Sequence, residues 1–278
     1  MVYQLNSKKV IYDRSKGAHV VIYQGESRSP HGAWSSSPRD GADYYFATFA
    51  AFRKESFEDG LKNIKSLKGE KRLRVLDVGC AYGLFPFLVK QQGWEATGLE
   101  PDSDRAAFGQ KHFQIKIHES KIEDFASDHK FDVITFWDVL EHLPEPGPVL
   151  AKVKELLEDD GILLIRVPNS RGLIHRLSFL SYWLTAGYFQ LPLNKITKNH
   201  YWIYTKASLN NILKRYNFDE ILSYYEDMLD KNVLIKTNYV QSLPGLIQSF
   251  IANFLKGISS LASVLSMQDS VVVYYRKQ

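Results

Sequence analysis

The sequence predicts an α/β fold: a seven-stranded, mostly parallel sheet with helices on both faces. Three observations carry that expectation. Short apolar runs rich in β-branched residues alternate with segments of helical spacing between Leu73 and Val167. Several of these runs are apolar nearly throughout, as strands buried on both faces are. Finally, a glycine turn, Gly79-Cys80-Ala81-Tyr82-Gly83, follows the first run and opens the next helix.

Taken in order, Leu73–Val78 is the first strand of the series and Tyr82–Gln92 its helix. Ala96–Leu99 is the second strand, after which Asp102 starts the helix DRAAFGQKHF. Gln114–Ile117 and Phe131–Phe136 are the third and fourth strands. Pro148–Leu157 is helical, and Gly161–Val167 is a fifth strand ended by Pro168-Asn169. Gly172–Leu191 is apolar and aromatic with a few basic residues, and Pro192–His200 is loop-like. Thr205 caps a helix reaching Tyr216, Phe218–Tyr225 is the sixth strand, and DSVVVYYRKQ closes the sheet as the seventh. Upstream, Lys9–Tyr23 reads as a hairpin around Ser15-Lys16-Gly17, Ser27–Gly41 as a loop and Asp43–Leu67 as a helix.

The chain thus divides into an N-terminal extension, 1–42, a core of 43–225 with 269–278, and an apolar helical insertion, 226–268. Within the core, 170–204 is read as a substrate cap. The second insertion carries Leu246, Ile247, Phe250, Ile251, Phe254, Leu255 and Ile258 at helical spacing, and the two insertions together are expected to form a cap.

Composition narrows the function. At 278 residues, 45% hydrophobic and 24% charged, the chain can bury a large core. One cysteine excludes an internal disulfide framework and a cysteine zinc cluster, which fits a cytoplasmic location. The N-terminus lacks an apolar signal core, and apolar runs fall short of a bilayer span. Charge is uneven: 23 Lys/Arg against 25 Asp/Glu up to Pro168, then 12 against 6 from Asn169 onward. A basic, greasy C-terminal part suits an amphiphilic ligand or peripheral membrane contact, and a plain solvated basic face equally. Dense Lys/Arg clusters of the kind that bind nucleic acid are absent, so no nucleic-acid partner is expected.

The turn itself selects a ligand class. A dinucleotide fingerprint starting at Gly79 needs small residues at 81 and 84, and 84 is leucine. Asp77, two residues before the first glycine, repels a pyrophosphate and attracts a cationic amino group. Asp77–Gly83, D-V-G-C-A-Y-G, resembles the first motif of class I S-adenosylmethionine-dependent methyltransferases, with Ala81 in place of the middle glycine. Glu100 in G-L-E-P-D is similar to the family's ribose-binding acid, and Ile122-Glu123-Asp124 stands where the family meets adenine. F-D-V-I-T-F-W-D-V-L-E-H-L resembles its fourth motif, in the branch of ubiquinone-type O-methyltransferases.

The resemblance covers residues 43 to 225 and implies a Rossmann-like sheet with S-adenosyl-L-methionine as cofactor. It places Tyr45, Asp77, Gly79, Cys80, Ala81, Gly83, Glu100, Pro101, Ile122, Glu123 and Trp137 at that cofactor. Tyr45, with Tyr44, is similar to the aromatic lid of relatives, and Cys80 reads as a small filler within the turn.

For the transfer itself, Asp138, Glu141 and His142 stand at i, i+3 and i+4, one face of a helix. His142 is a candidate base with Glu141 beside it. The three also offer a metal set, because the branch's E-x-x-E-H motif is linked to a divalent ion; Asp138 as a helix cap is the plainer reading. His200, just before a helix, is a second candidate base. Trp183, Tyr188, Phe189 and the Phe250/Phe254 stripe either line an acceptor cavity, meet lipid or pack inward. The expected activity is methyl transfer to a small or lipid-linked acceptor, at oxygen. The alternatives are an NAD-dependent oxidoreductase or epimerase, and a non-catalytic cofactor-binding, membrane-peripheral protein.

Overall fold

The computed structural model describes residues 2–5, 8–13, 18–23, 41–43, 45–185, 200–227, 245, 249, 253, 257, 260–263 and 267–278. The expected turn at 15–17, the loop at 27–40, Tyr44, Tyr188, Phe189 and the apolar stripe between 246 and 258 lie outside them.

The strands of the main sheet are β4 (Arg74–Val78), β5 (Glu95–Leu99), β6 (Lys116–His118), β7 (Phe131–Trp137), β8 (Leu157–Pro168), β10 (Phe218–Glu226) and β11 (Ser270–Lys277). They lie in the order β10-β11-β8-β7-β4-β5-β6. The five strands from β8 to β6 are parallel, and β11 runs antiparallel to both β8 and β10. The expected seven-stranded, mostly parallel sheet is therefore present. From β4 the chain passes to β5 on one side and later to β7 on the other, so the crevice at the C-terminal end of β4 is the topological switch point.

Both faces of this sheet are covered, which is why its strands read as apolar throughout. Leu76, Ile134, Phe136, Leu163 and Ile165 belong to one buried cluster with Val149, Val153, Leu209 and Leu213. Val75, Val133, Ile162 and Leu164 belong to a second with Phe57, Leu61, Ile64 and Phe85. Each such side chain contributes about 1.5–3 kcal/mol by leaving water. The covering helices are α1 (Ala51–Lys68), α2 (Leu84–Gln91), α3 (Ser103–Phe113), α4 (Pro146–Leu156), α5 (Leu173–Leu184) and α6 (Lys206–Lys214).

Local chemistry sets the helix ends. The Asp102 carboxylate accepts the Arg105 N–H (3.0 Å) at the start of α3. Thr205 and Ser208 form a reciprocal capping box on α6, at 3.0 and 2.9 Å. The expected cap at Thr205 is thus confirmed.

The N-terminal extension adds a second sheet. β1 (Val2–Leu5), β2 (Lys8–Asp13) and β3 (Ala18–Tyr23) pair antiparallel in sequence, so the expected hairpin is present with one further strand. β3 then pairs with β9 (Trp202–Ile203), a contact the sequence did not announce. Along α5, Leu177, Leu180, Trp183 and Leu184 are exposed, Trp183 by 73%. No described helix is long and apolar enough to cross a membrane.

Candidate functional site

At the C-terminal end of β4 the chain makes a turn whose first position has room for glycine alone. Gly79 has φ +70°, and a Cβ there would lie 2.6 Å from Val139 Cγ2. The Gly79 and Cys80 N–H groups donate to the Leu99 carbonyl at 2.8 and 3.0 Å, tying the turn to β5. Ala81, where the family motif has glycine, is held at φ +49°. Gly83 (φ +83°) precedes α2, whose first N–H groups receive no side-chain cap. The N-terminal end of α2 therefore faces the crevice with its donors and positive dipole end.

Two acids flank this turn. Asp77 is buried at the end of β4, and the Thr135 hydroxyl donates to it at 2.6 Å. Burial pushes its carboxyl up to about 8, against the Thr135 hydrogen bond and with help from the nearby Glu100 charge. Glu100, at the tip of β5, accepts from the Ala81 N–H (2.9 Å) and from the Asp102 N–H (3.0 Å). Burial raises its carboxyl too, while those backbone donors and Arg105 pull it down. The Cys80 thiol is buried with Ala106, Ile115 and Ile117, and a Cβ on Gly98 would meet its Sγ at 2.6 Å. Burial raises this thiol well above its ordinary range, so it acts as a space filler rather than a nucleophile.

Tyr45 begins a π-helical turn, Tyr45–Ala50, leading into α1. Its ring lies 5.0 Å from that of Tyr82 in the glycine turn. Burial pushes its phenol up to about 12, with Arg53 opposing and Asp77 adding to the rise. Pro101 is exposed between β5 and α3; Ile122 is buried and Glu123 exposed in the 3-10 turn Ile122–Asp124 after β6. Trp137, at the end of β7, packs its indole against Phe57 (4.8 Å) and Phe85 (5.2 Å).

The segment after β7 departs from the expected helix face. Asp138 has φ +53°, and only Leu140–His142 form a single 3-10 turn without a side-chain cap. The Asp138 carboxylate is gripped by Arg166 of β8 and Arg53 of α1. Burial raises that carboxyl, but the two guanidiniums overcome it and hold it below its ordinary value. Arg166 also meets Glu226, which accepts the Ser56 hydroxyl at 2.9 Å. Asp138 is thus held by two guanidiniums and stands apart from the grouped side chains of Glu141, His142 and His200.

His200 takes its place instead. The His142 and His200 rings lie 4.7 Å apart and nearly perpendicular, at 72°. Ligand-capable atoms of Glu141, His142 and His200 all fall within 4.8 Å of one another. Glu141 is buried, with neither oxygen hydrogen-bonded among the described residues; burial first, then the Asp138 charge, raise it well above the carboxylate range. A group with no signal in the sequence is Tyr204, wholly buried, whose hydroxyl lacks a partner among the described residues and whose acidity is suppressed by burial and by Glu141. Arg166 left a trace in the sequence, as a lone charge in the apolar run GILLIRV.

Comparison with known proteins places this geometry. Residues 49–223 match the family model described as a methyltransferase domain. The ubiquinone biosynthesis O-methyltransferase of Glaesserella parasuis is 29% identical over 187 residues, 61% of this chain and 78% of the relative. That of Actinobacillus pleuropneumoniae is 33% identical over 107 residues; the match spans 34% of this chain and about half, 46%, of the relative's length. Among solved structures, magnesium protoporphyrin IX methyltransferase from Synechocystis, crystallised with bound SAM, is similar with TM-score 0.57 at 11% identity, covering 91% of this chain and 100% of that one. A possible histamine N-methyltransferase from Thermotoga maritima reaches TM-score 0.55 at 14% identity, covering 88% and 99%. Such distant structures share the fold alone, but the family model spans well over half of the chain: it belongs to the class I S-adenosylmethionine-dependent methyltransferases and uses S-adenosylmethionine as its cofactor.

Proposed function

We propose that the chain transfers the methyl group of S-adenosylmethionine to a hydroxyl oxygen of a small or lipid-linked acceptor. The observation that carries this reading is the pairing of His142 with His200 beside the buried acid Glu141, just past the β7 tip that adjoins the cofactor crevice. The sulfonium is a good leaving group, so the protein's task is alignment, exclusion of water and removal of one proton from the hydroxyl. Imidazole in general is a base of suitable strength for such a step near neutral pH.

On the cofactor side, Asp77 meets the amino group, Glu100 the ribose hydroxyls, and Gly79 to Gly83 leave room for the amino acid chain. Tyr45 closes over the sulfonium end, while Ile122 and Glu123 border the adenine, Pro101 beside it. The backbone of Cys80, Ala81 and Trp137 completes the crevice.

A second reading of the same residues rests on their donor set. One carboxylate and two imidazoles fit a divalent cation, held by Glu141, His142 and His200 rather than by Asp138. Such an ion would acidify a bound hydroxyl. The test for both is a panel of phenols, lipid quinols and glycolipids with labelled methyl donor, on enzyme dialysed against chelator and then resupplied with Mg²⁺ or Zn²⁺. His142→Ala and His200→Ala should each lower turnover about 10²–10⁴-fold with S-adenosylhomocysteine affinity intact. Full turnover in both variants would remove the pair from the mechanism, and loss on chelation would select the cation.

The lipid-linked acceptor draws on α5. Its exposed Leu177, Leu180, Trp183 and Leu184, flanked by exposed Arg171 and Arg176, form an apolar stripe with basic neighbours that suits an anionic bilayer surface. Flotation with anionic vesicles, before and after Trp183→Ser with Leu184→Ser, tests it; equal recovery of both proteins would end the idea.

A further inference from the structure

The two-residue strand β9 lies between His200 and Tyr204, inside the candidate acceptor site, yet its sheet partner is β3, in a region preceding the matched methyltransferase domain. His19 pairs with Ile203 and Val20 with Trp202. On its other sides the same segment is stitched to the site. Tyr201 N–H donates to the Glu141 carbonyl at 2.8 Å, and Trp202 Nε1 to the Leu143 carbonyl at 2.7 Å. Asn169 bridges Tyr204, whose carbonyl accepts from the Ser170 N–H at 2.8 Å.

A strand of two residues has no stability of its own. Its place against His142 is fixed by these bonds, by burial of Trp202 and Tyr204 in the core, and by the three-stranded antiparallel sheet on its outer edge. From this we infer that the N-terminal sheet β1–β3 is a working part of the acceptor site. It positions His200, and through it the spacing between His142 and His200. The inference rests on the reading that this histidine pair faces the acceptor, and it makes residues 2–23 a determinant of which acceptor is taken.

Neighbouring residues in an antiparallel strand aim their N–H groups to opposite sides. Of His19→Pro and Val20→Pro, one therefore removes a donor facing β9 and the other a donor facing β2, and either disturbs the seam. The full-length variants are compared with the parent by three readouts: the ¹⁵N signal of the Trp202 indole, the ring signals of His200, and amide exchange at Tyr201–Ile203. S-adenosylhomocysteine affinity serves as the folding control. The expected result is affinity within about twofold, shifted Trp202 and His200 signals, and exchange at these amides faster by about tenfold or more.

Unchanged Trp202 and His200 signals in both variants would overturn the inference. Should neither variant bind S-adenosylhomocysteine, exchange in the parent protein decides. Trp202 and Ile203 opening together with residues 18–23 supports the inference, and their opening only with β8 overturns it. None of these measurements uses an acceptor. Failure of the acceptor reading would appear separately, as full turnover in the His142 and His200 variants.

Discussion

Replacing Asp77 with asparagine tests how the crevice recognises a cationic ligand, and pH supplies the measure. Without ligand, burial pushes this carboxyl up to about 8, so at pH 7 most molecules carry it protonated. An ammonium group arriving beside it favours the ionised form, so binding at pH 7 should release close to one proton. The sign follows: below about 8 the proton must be displaced, and affinity for S-adenosylhomocysteine should rise about tenfold per pH unit between 6 and 7.5. Free protein shows the opposite trend. The folded state keeps a proton that the unfolded chain has lost, so its stability declines as pH rises from the ordinary carboxyl value of 3.8 toward 8. Titration calorimetry at pH 6.0, 6.8 and 7.5, in two buffers of different ionisation enthalpy, measures both affinity and proton release. Asp77→Asn should bind more weakly at pH 7.5 and lose most of the pH slope. A parent dissociation constant flat within twofold across this range, with no proton release, would refute the reasoning.

Two further outcomes can be checked by melting and denaturant titration. Ala81→Gly should raise stability by about 1 kcal/mol, because alanine at φ +49° carries a left-handed strain that glycine lacks; a lowered melting point would show that the turn is unstrained. Arg166→Met should cost about 3 kcal/mol, since it leaves the half-buried carboxylates of Asp138 and Glu226 without the buried guanidinium they share. A loss below 1 kcal/mol would mean that Arg53 alone satisfies the cluster.

What could be read from the residues was what local chemistry decides. Apolar runs such as FDVITF and GILLIRV announced strands covered on both faces, and Thr205 announced a helix start, because burial and capping act over a few positions. The glycine turn with its two acids was legible for the same reason: Gly79 and Gly83 occupy left-handed backbone that other residues avoid. The acceptor side was only half legible. A spacing of i, i+3 and i+4 around Asp138, Glu141 and His142 implied a helix face, yet Arg53 and Arg166, distant in sequence, drew Asp138 away. Likewise, the meeting of His142 with His200 is set by how β9 is stitched to Glu141 and Leu143, and such long-range pairing leaves no periodic trace. β9 itself is too short to show alternation, and nothing local marks its partner.

The position of β11 bears on how the molecule comes into being. This strand sits between β8 and β10, with Val271 to Tyr275 wholly buried, yet it is separated from β10 by residues 227–269. A nascent chain on the ribosome that has made everything through β10 still lacks the strand that joins edge strand β10 to β8, so both of those edges stay unpaired. Consolidation must wait for translation past Lys277, and any product stopping short of Ser270 would carry a ready site for misassociation with its siblings. A synthetic peptide of residues 269–278 supplied in trans should pair with those edges, which makes this protein a natural candidate for splitting into a two-part reporter.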